Sequence, residues 1–263
     1  MSTTTTIPKP TIVLIHGAWH TPANYTPLIT SLQSLGFTVH CPHLPSCTNT
    51  RPPPATYADD VSVVRSLVTS LVEKGERILM LMHSYGGAIG TDAIQDLDLP
   101  TRASNNLPGG IIHLLYLCAY IQQPGRSIWD VVTEVGMTAF WPQFVENADD
   151  GSTFPVDPVQ LFLGDCDEAQ VAEAVKHLVR SPLSAFQTPA VGDAWRRVPV
   201  TYVTTTKDYS VPRVYQDLML KRVKAEGVDV RVVEVDTAHS VFVSRLGDVV
   251  RIVEEAVRDG RHV

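Results

Sequence analysis

A chain of 263 residues, 44% of them apolar, can form one α/β domain with an insertion, and no apolar run approaches the roughly 18 residues of a membrane helix. The net charge of −7 comes with no basic cluster, which argues against nucleic acid or an anionic membrane as a partner. Cys41, Cys47, Cys118 and Cys166 form no disulfide framework, and the start lacks the apolar segment of a secretion signal, so a reducing, cytoplasmic setting is expected.

Residues 1–10 are rich in Thr and Pro and read as a short disordered tail. Thr11–Ile15 is an apolar strand, and His16-Gly17-Ala18-Trp19 follows as a turn. Thr38–Cys41 reads as a second strand. His40, Cys41, His43 and Cys47 then crowd together, but their spacing fits no common zinc pattern. Pro42 and Pro45 suit an ordinary loop, so no metal is expected. Thr56-Tyr57-Ala58-Asp59 has the form of a capping box. It opens a helix with Val61, Val64, Val68 and Leu71 on one face, closed by Gly75.

Ile78–Met82 is a third strand, followed by His83-Ser84-Tyr85-Gly86-Gly87 and a helical pattern over Ala88–Ile94. Ile111–Tyr120 is a fourth strand. Residues 122–197 break the alternation. They hold an acidic stretch at Glu146–Gly151, an amphipathic helix expected over Glu168–Arg180, and many aromatic residues. Val198–Thr204 and Val228–Val235 restore the strand pattern. A last helix carries Leu246, Val249, Val250, Val253 and Val257 on one face. The alternation predicts a mainly parallel sheet of about six strands flanked by helices. The expected organisation is a tail (1–10), a core (11–121 and 198–263) and an inserted cap (122–197).

Strand, sharp turn with a serine at the tip, then helix is the layout of a nucleophile elbow. The usual pattern is G-x-S-x-G, and Met82 replaces its first glycine. A serine hydroxyl is a poor nucleophile until a histidine takes its proton, and a carboxylate must fix that histidine's tautomer. Asp208 and His239 each follow a predicted strand, so Ser84, Asp208 and His239 are the expected catalytic residues. Asp236 is too close to His239 along the chain to brace its ring. The backbone N–H groups of Ala18 and Tyr85 are the expected oxyanion donors.

With these residues in place the chain resembles a family. Ile12–Trp19, Leu44-Pro45, His83–Gly87, Asp208 and Asp236–His239 look like the α/β-hydrolase group of plant methyl-ester esterases and hydroxynitrile lyases, and most like its small bacterial and fungal relatives. The resemblance implies hydrolysis of small carboxylic esters, no cofactor, and a helical cap over the pocket. Members with this cap are often dimers, which leaves a homodimer open here, though no residue shows it. His43 stands where relatives usually have an aspartate. The lyase branch has a threonine at the position of Gly17 and a lysine after the catalytic histidine, where this chain has Ser240. Those two positions favour ester cleavage over C–C or C–O lysis on the same triad. A ligand-binding receptor on a hydrolase fold is a third alternative.

The substrate is expected to be a small molecule, an ester, lactone or thioester that is neutral and largely apolar near the scissile bond, since only Arg180, Arg196 or Arg197 of the cap could offer a cation. The expected pocket residues are Gly17, Trp19, Tyr120, Ile121, Trp129, Trp141 and Ser240, with the Tyr85 side chain beside the nucleophile.

Overall fold

The computed structural model describes residues 9–259, so the expected tail lies outside the described residues apart from its last two. The core opens with β1 (Thr11–Ile15), α1 (Thr26–Ser34), β2 (Val39–His40), α2 (Tyr57–Val72), β3 (Arg77–His83), α3 (Gly86–Ala93), α4 (Leu99–Ser104) and β4 (Gly110–Leu117). The insertion holds α5 (Ile128–Glu134), α6 (Trp141–Phe144), β5 (Val145–Asn147), β6 (Ser152–Pro155), α7 (Pro158–Phe162), α8 (Glu168–Val175), β7 (Ser181–Pro182) and α9 (Leu183–Gln187). The core then resumes with β8 (Val200–Thr205), α10 (Arg213–Ala225), β9 (Val230–Val235), α11 (Val241–Ser244) and α12 (Leu246–Asp259).

Six strands form one parallel sheet in the order β2-β1-β3-β4-β8-β9. β1 and β4 are buried along their whole length, and β3 all but Arg77. That is why their sequences are continuous apolar runs rather than alternating ones. One face is covered by α1 and α12, the latter through Val249, Ile252, Val253, Ala256 and Val257. The other is covered by α2, α3 and α10. The Thr56–Asp59 capping box forms, and α2 presents Val64, Val68, Leu71 and Val72 to that core.

Three elements differ from expectation. β4 stops at Leu117 rather than running to Tyr120, because Cys118 takes a positive φ of 37° and turns the chain off the sheet. The cap carries, besides its helices, a three-stranded antiparallel sheet β5-β6-β7. The helix expected over Glu168–Arg180 ends at Val175. The next residues use their backbone groups elsewhere: Val179 N–H donates to Trp19 O (2.8 Å), and Arg180 O accepts from Thr48 N–H (3.1 Å). Those two bonds tie the cap to the loops that follow β1 and β2, and a helix continuing to Arg180 would have used the Val179 N–H internally.

Candidate active site

β3 delivers Ser84 at a turn before α3. Its φ is +53°, a left-handed conformation that costs a non-glycine residue energy. Surrounding bonds hold it there. Ser84 N–H donates to Leu117 O (3.2 Å), and Ser84 O accepts from Gly87 N–H and Tyr120 N–H (both 3.0 Å). The methionine in place of the usual glycine is accommodated from the next element. A Cβ at Gly90 in α3 would lie 2.5 Å from Met82 Sδ, so Gly90 vacates the space that the thioether fills.

Asp208 lies just past β8 and His239 just past β9. Asp208 Oδ2 is 2.8 Å from His239 Nδ1, with both side chains buried. The carboxylate is fully engaged. Oδ2 also accepts from Thr205 Oγ1 (2.8 Å), and Oδ1 accepts from the N–H groups of Ser210 (2.9 Å) and Val211 (2.7 Å). Behind it, buried Gln216 of α10 donates to Thr205 Oγ1 and Val211 O and accepts from Thr205 N–H. Asp236, by contrast, is exposed and pairs with Lys207 and Thr206. Neither Ser84 Oγ nor His239 Nε2 has a hydrogen-bond partner among the described residues.

A buried relay supports the histidine from its backbone side. Gly17 N–H donates to Tyr25 Oη (2.9 Å), and Tyr25 O–H donates to His83 Nδ1 (2.7 Å). His83 Nε2–H then donates to His239 O (3.1 Å), which also accepts from Cys118 Sγ (3.3 Å). Burial, above all, holds His83 well below the usual histidine range, consistent with one donor and one acceptor nitrogen. No sequence signal singled out Tyr25, His83 or Gln216, because their roles depend on contacts between distant segments.

The loop after β1 is fastened on every side but one. His16 Nδ1–H donates to Gly17 O and His16 Nε2 accepts from Leu44 N–H. His20 Nδ1–H donates to Ala18 O, and Trp19 N–H donates to Ser181 Oγ. His43 Nε2–H donates to Cys47 O (2.7 Å), so this histidine anchors its own loop. The N–H groups of Ala18 and Tyr85 donate to no acceptor among the described residues.

His83, Cys118 and His239 bring potential ligand atoms within 4.8 Å of one another. Both nitrogens of His83 and Nδ1 of His239 are already hydrogen-bonded, and burial raises the Cys118 thiol well above its ordinary range. The donor set is therefore a poor fit to a metal ion, which needs a thiolate and free ring nitrogens.

These buried histidines make native stability pH-dependent. Burial lowers His16 to about 3 and His20 to about 4, and lowers His83 too. Above about pH 7.5 all three are neutral folded or unfolded and contribute almost no slope. Below it, only the unfolded chain binds their protons, so stability falls as pH drops toward 4, by up to about 1.4 kcal/mol per pH unit for each histidine. Denaturant unfolding at pH 7, 6 and 5 should show this loss, with uptake of about two or more protons on unfolding at pH 5. A flat profile would mean these rings are not buried neutral.

A cavity of about 330 Å³ opens over Ser84. Trp19, Tyr120 and Trp141 line it, as expected from sequence. Gly17, Ile121, Trp129 and Ser240 do not, and neither does the Tyr85 side chain. Gly17 sits against the nucleophile, where a Cβ would meet His83 Nδ1 at 2.9 Å and Ser84 Cβ at 3.1 Å. Ile121 is core. Trp129 backs Trp141 edge-on, with centroids 5.1 Å apart. Ser240 is buried, with its N–H on Phe162 O. Tyr85 turns away and donates to Asp60 Oδ2 (2.9 Å). Phe140, Phe144 and Phe186 also line it, three of the cap aromatics of which a few are expected to face the pocket, and Met137, Val145 and Leu161 join them with no sequence signal. The sequence reading missed Tyr209, Ser210, Pro212 and Tyr215 beside Asp208. No lysine or arginine among the described residues lines the wall. Arg180 pairs with Glu146, Arg196 with Asp193 and Glu226, and Arg197 with Asp98 and Asp193. No helix among the described residues is long and apolar enough to cross a membrane.

The chain is similar to known proteins along nearly its whole length. The model of the alpha/beta hydrolase family matches residues 12–252. The chain is 28% identical over 255 residues to the alpha/beta hydrolase nvfD of Aspergillus novofumigatus, covering 94% of this chain and 96% of that one. It is 29% identical over 251 residues to the probable hydrolase R7 of a Phoma species, covering 92% and 97%. Among solved structures, a pyrethroid hydrolase from Sphingobium faniae superposes with a TM-score of 0.74 at 20% identity, over 97% of this chain and 99% of that one. At that identity the likeness concerns the fold.

Proposed function

The chain belongs to the alpha/beta hydrolase family, and from that premise we propose that it is a serine esterase acting on small to medium, largely apolar carboxylic esters. One observation carries the reading. Ser84, held at positive φ on a strand-to-helix turn, lines an apolar cavity whose wall also includes Asp208, itself bonded to His239.

With Nδ1 committed to Asp208, His239 has only Nε2 left to accept the Ser84 proton. Ser84 Oγ attacks the ester carbonyl carbon, and the N–H groups of Ala18 and Tyr85 receive the oxyanion. His239 returns the proton to the departing alcohol, leaving an acyl-enzyme. Water then attacks the acyl carbon while His239 takes its proton, the acid departs and Ser84 regains its hydrogen. Asp208 orients the ring and stabilises its cation throughout.

The aromatic lining and the absence of a wall cation favour neutral substrates over those bearing a carboxylate. The positions that suggested esterase over lyase also gain a physical reason. Gly17 is too closely packed to bear a threonine, and a lysine at Ser240 would enter a buried site.

A series of p-nitrophenyl esters of graded acyl length tests the reading. Turnover with an initial burst, best for short and medium chains, is the expected result. Binding without turnover would favour a receptor. Cleavage of a hydroxynitrile with no ester turnover would favour a lyase.

A further inference from the structure

The cavity wall is mainly apolar, and of the polar groups set in it the hydroxyls of Tyr209 and Ser210 belong to residues that are not buried, while others have partners in the protein. Trp19 Nε1 donates to Thr153 Oγ1 and Trp141 Nε1 to Asn147 Oδ1. All four hydrogen bonds described for Asp208 are internal. Tyr120 and Tyr215 are different. Both line the cavity, both are more than nine-tenths buried at 5% and 6% exposure, and neither hydroxyl has a hydrogen-bond partner among the described residues. They come from separate elements. Tyr120 lies just past β4, with its N–H on Ser84 O, and Tyr215 lies in the first turn of α10, just after the Asp208 loop. They are nonetheless near enough to interact electrostatically.

Other tyrosines of the protein show what such groups normally do. Tyr25, Tyr57, Tyr85, Tyr116 and Tyr202 each place the buried hydroxyl on a protein partner. A cavity-lining phenol without one is left to bond water or a ligand, and phenylalanine would line the same apolar wall without presenting any hydrogen-bonding group. Two such hydroxyls in one substrate cavity point to a ligand that completes them.

Resting on the esterase reading, we propose that Tyr120 and Tyr215 form a hydroxyl clamp for a second neutral oxygen acceptor, so that the preferred esters carry a keto, hydroxy or ether oxygen beside the scissile ester. A site built to bond an oxygen discriminates strongly against the analogue that lacks it, because its own polar groups are then left unpaired.

Isosteric pairs test this and tell the two sides of the ester apart. Ethyl 3-methoxypropanoate against ethyl pentanoate places the oxygen in the acyl group. 2-Methoxyethyl butanoate against butyl butanoate places it in the alcohol. The wild-type protein should prefer the oxygenated member of at least one pair about tenfold or more in kcat/KM. Tyr120→Phe and Tyr215→Phe should each cut the ratio of kcat/KM for that ester over its alkyl partner about tenfold, whatever they do to the absolute rates, and leave Tm unchanged or raised. Equal losses on both members, or no wild-type preference, would overturn the clamp.

Calorimetric binding of 5-methoxypentan-2-one against heptan-2-one, neither of them an ester, separates the clamp from the chemistry. If no ester is cleaved, yet the methoxy ketone binds more tightly and the Phe variants lose that margin, the esterase reading fails and the clamp stands. Equal binding of the two ketones by the wild type would remove the clamp even from an active esterase.

Discussion

Ser84→Ala should leave a folded protein whose ester turnover falls by about 10⁶-fold, the loss typical of removing the nucleophile from a serine triad. Several features make the substitution clean. Ser84 Oγ has no hydrogen bond to lose among the described residues, and the turn is held by backbone bonds to Leu117, Gly87 and Tyr120 that alanine keeps. The residue already sits at φ +53°, where alanine is tolerated no better than serine, so a small fall in stability is expected but not unfolding. Circular dichroism and Tm check the fold, and burst kinetics with a p-nitrophenyl ester check the chemistry. An intact variant that keeps most of its activity would place the nucleophile elsewhere and remove the basis of the proposed mechanism.

Asp208→Asn should cost about 10⁴-fold in kcat, because an amide facing Nδ1 allows the wrong imidazole tautomer and cannot stabilise the cation. The local geometry adds a second effect. Oδ1 and Oδ2 together accept four hydrogen bonds, two from backbone N–H groups. An amide nitrogen in either position would face a donor, so the loop should shift as well. Asp236→Asn is the control. That carboxylate is exposed and bonded to Lys207 and Thr206, and its removal should change kcat less than about threefold. If Asp236→Asn proved the more damaging change, the assignment of the acid would be reversed.

The positions of Ser84, Asp208 and His239 could be read from the chain because each follows a run whose composition announces a strand. Buried parallel strands demand continuous apolar residues, so the ends of those runs are visible, and functional residues gather beyond strand ends in such sheets. The capping box at Thr56 and the apolar stripe of the last helix were legible for a similar reason. Local hydrogen bonding and helical periodicity depend only on residues three or four apart.

What stayed hidden depends on segments far apart in sequence. Gly90 makes room for Met82 across the α3–β3 contact, and nothing in the order of residues announces that pairing. The early end of β4 rests on the backbone of one residue, Cys118, in a run that otherwise reads as strand to Tyr120. The helix after Glu168 looked longer because its side-chain pattern continues, while the backbone groups of Val179 and Arg180 were claimed by Trp19 and Thr48, about 160 and 130 residues earlier. Cap aromatics all look alike in sequence, and only packing separated Trp141, on the cavity wall, from Trp129 behind it. By itself the sequence determined the kind of sheet, its strand ends and the residue types that could do chemistry there, since these follow from local pattern and burial. The tertiary structure decided which side chains reach the cavity, which N–H groups are left idle and which hydroxyls lack partners, because each depends on where the cap lands on the core.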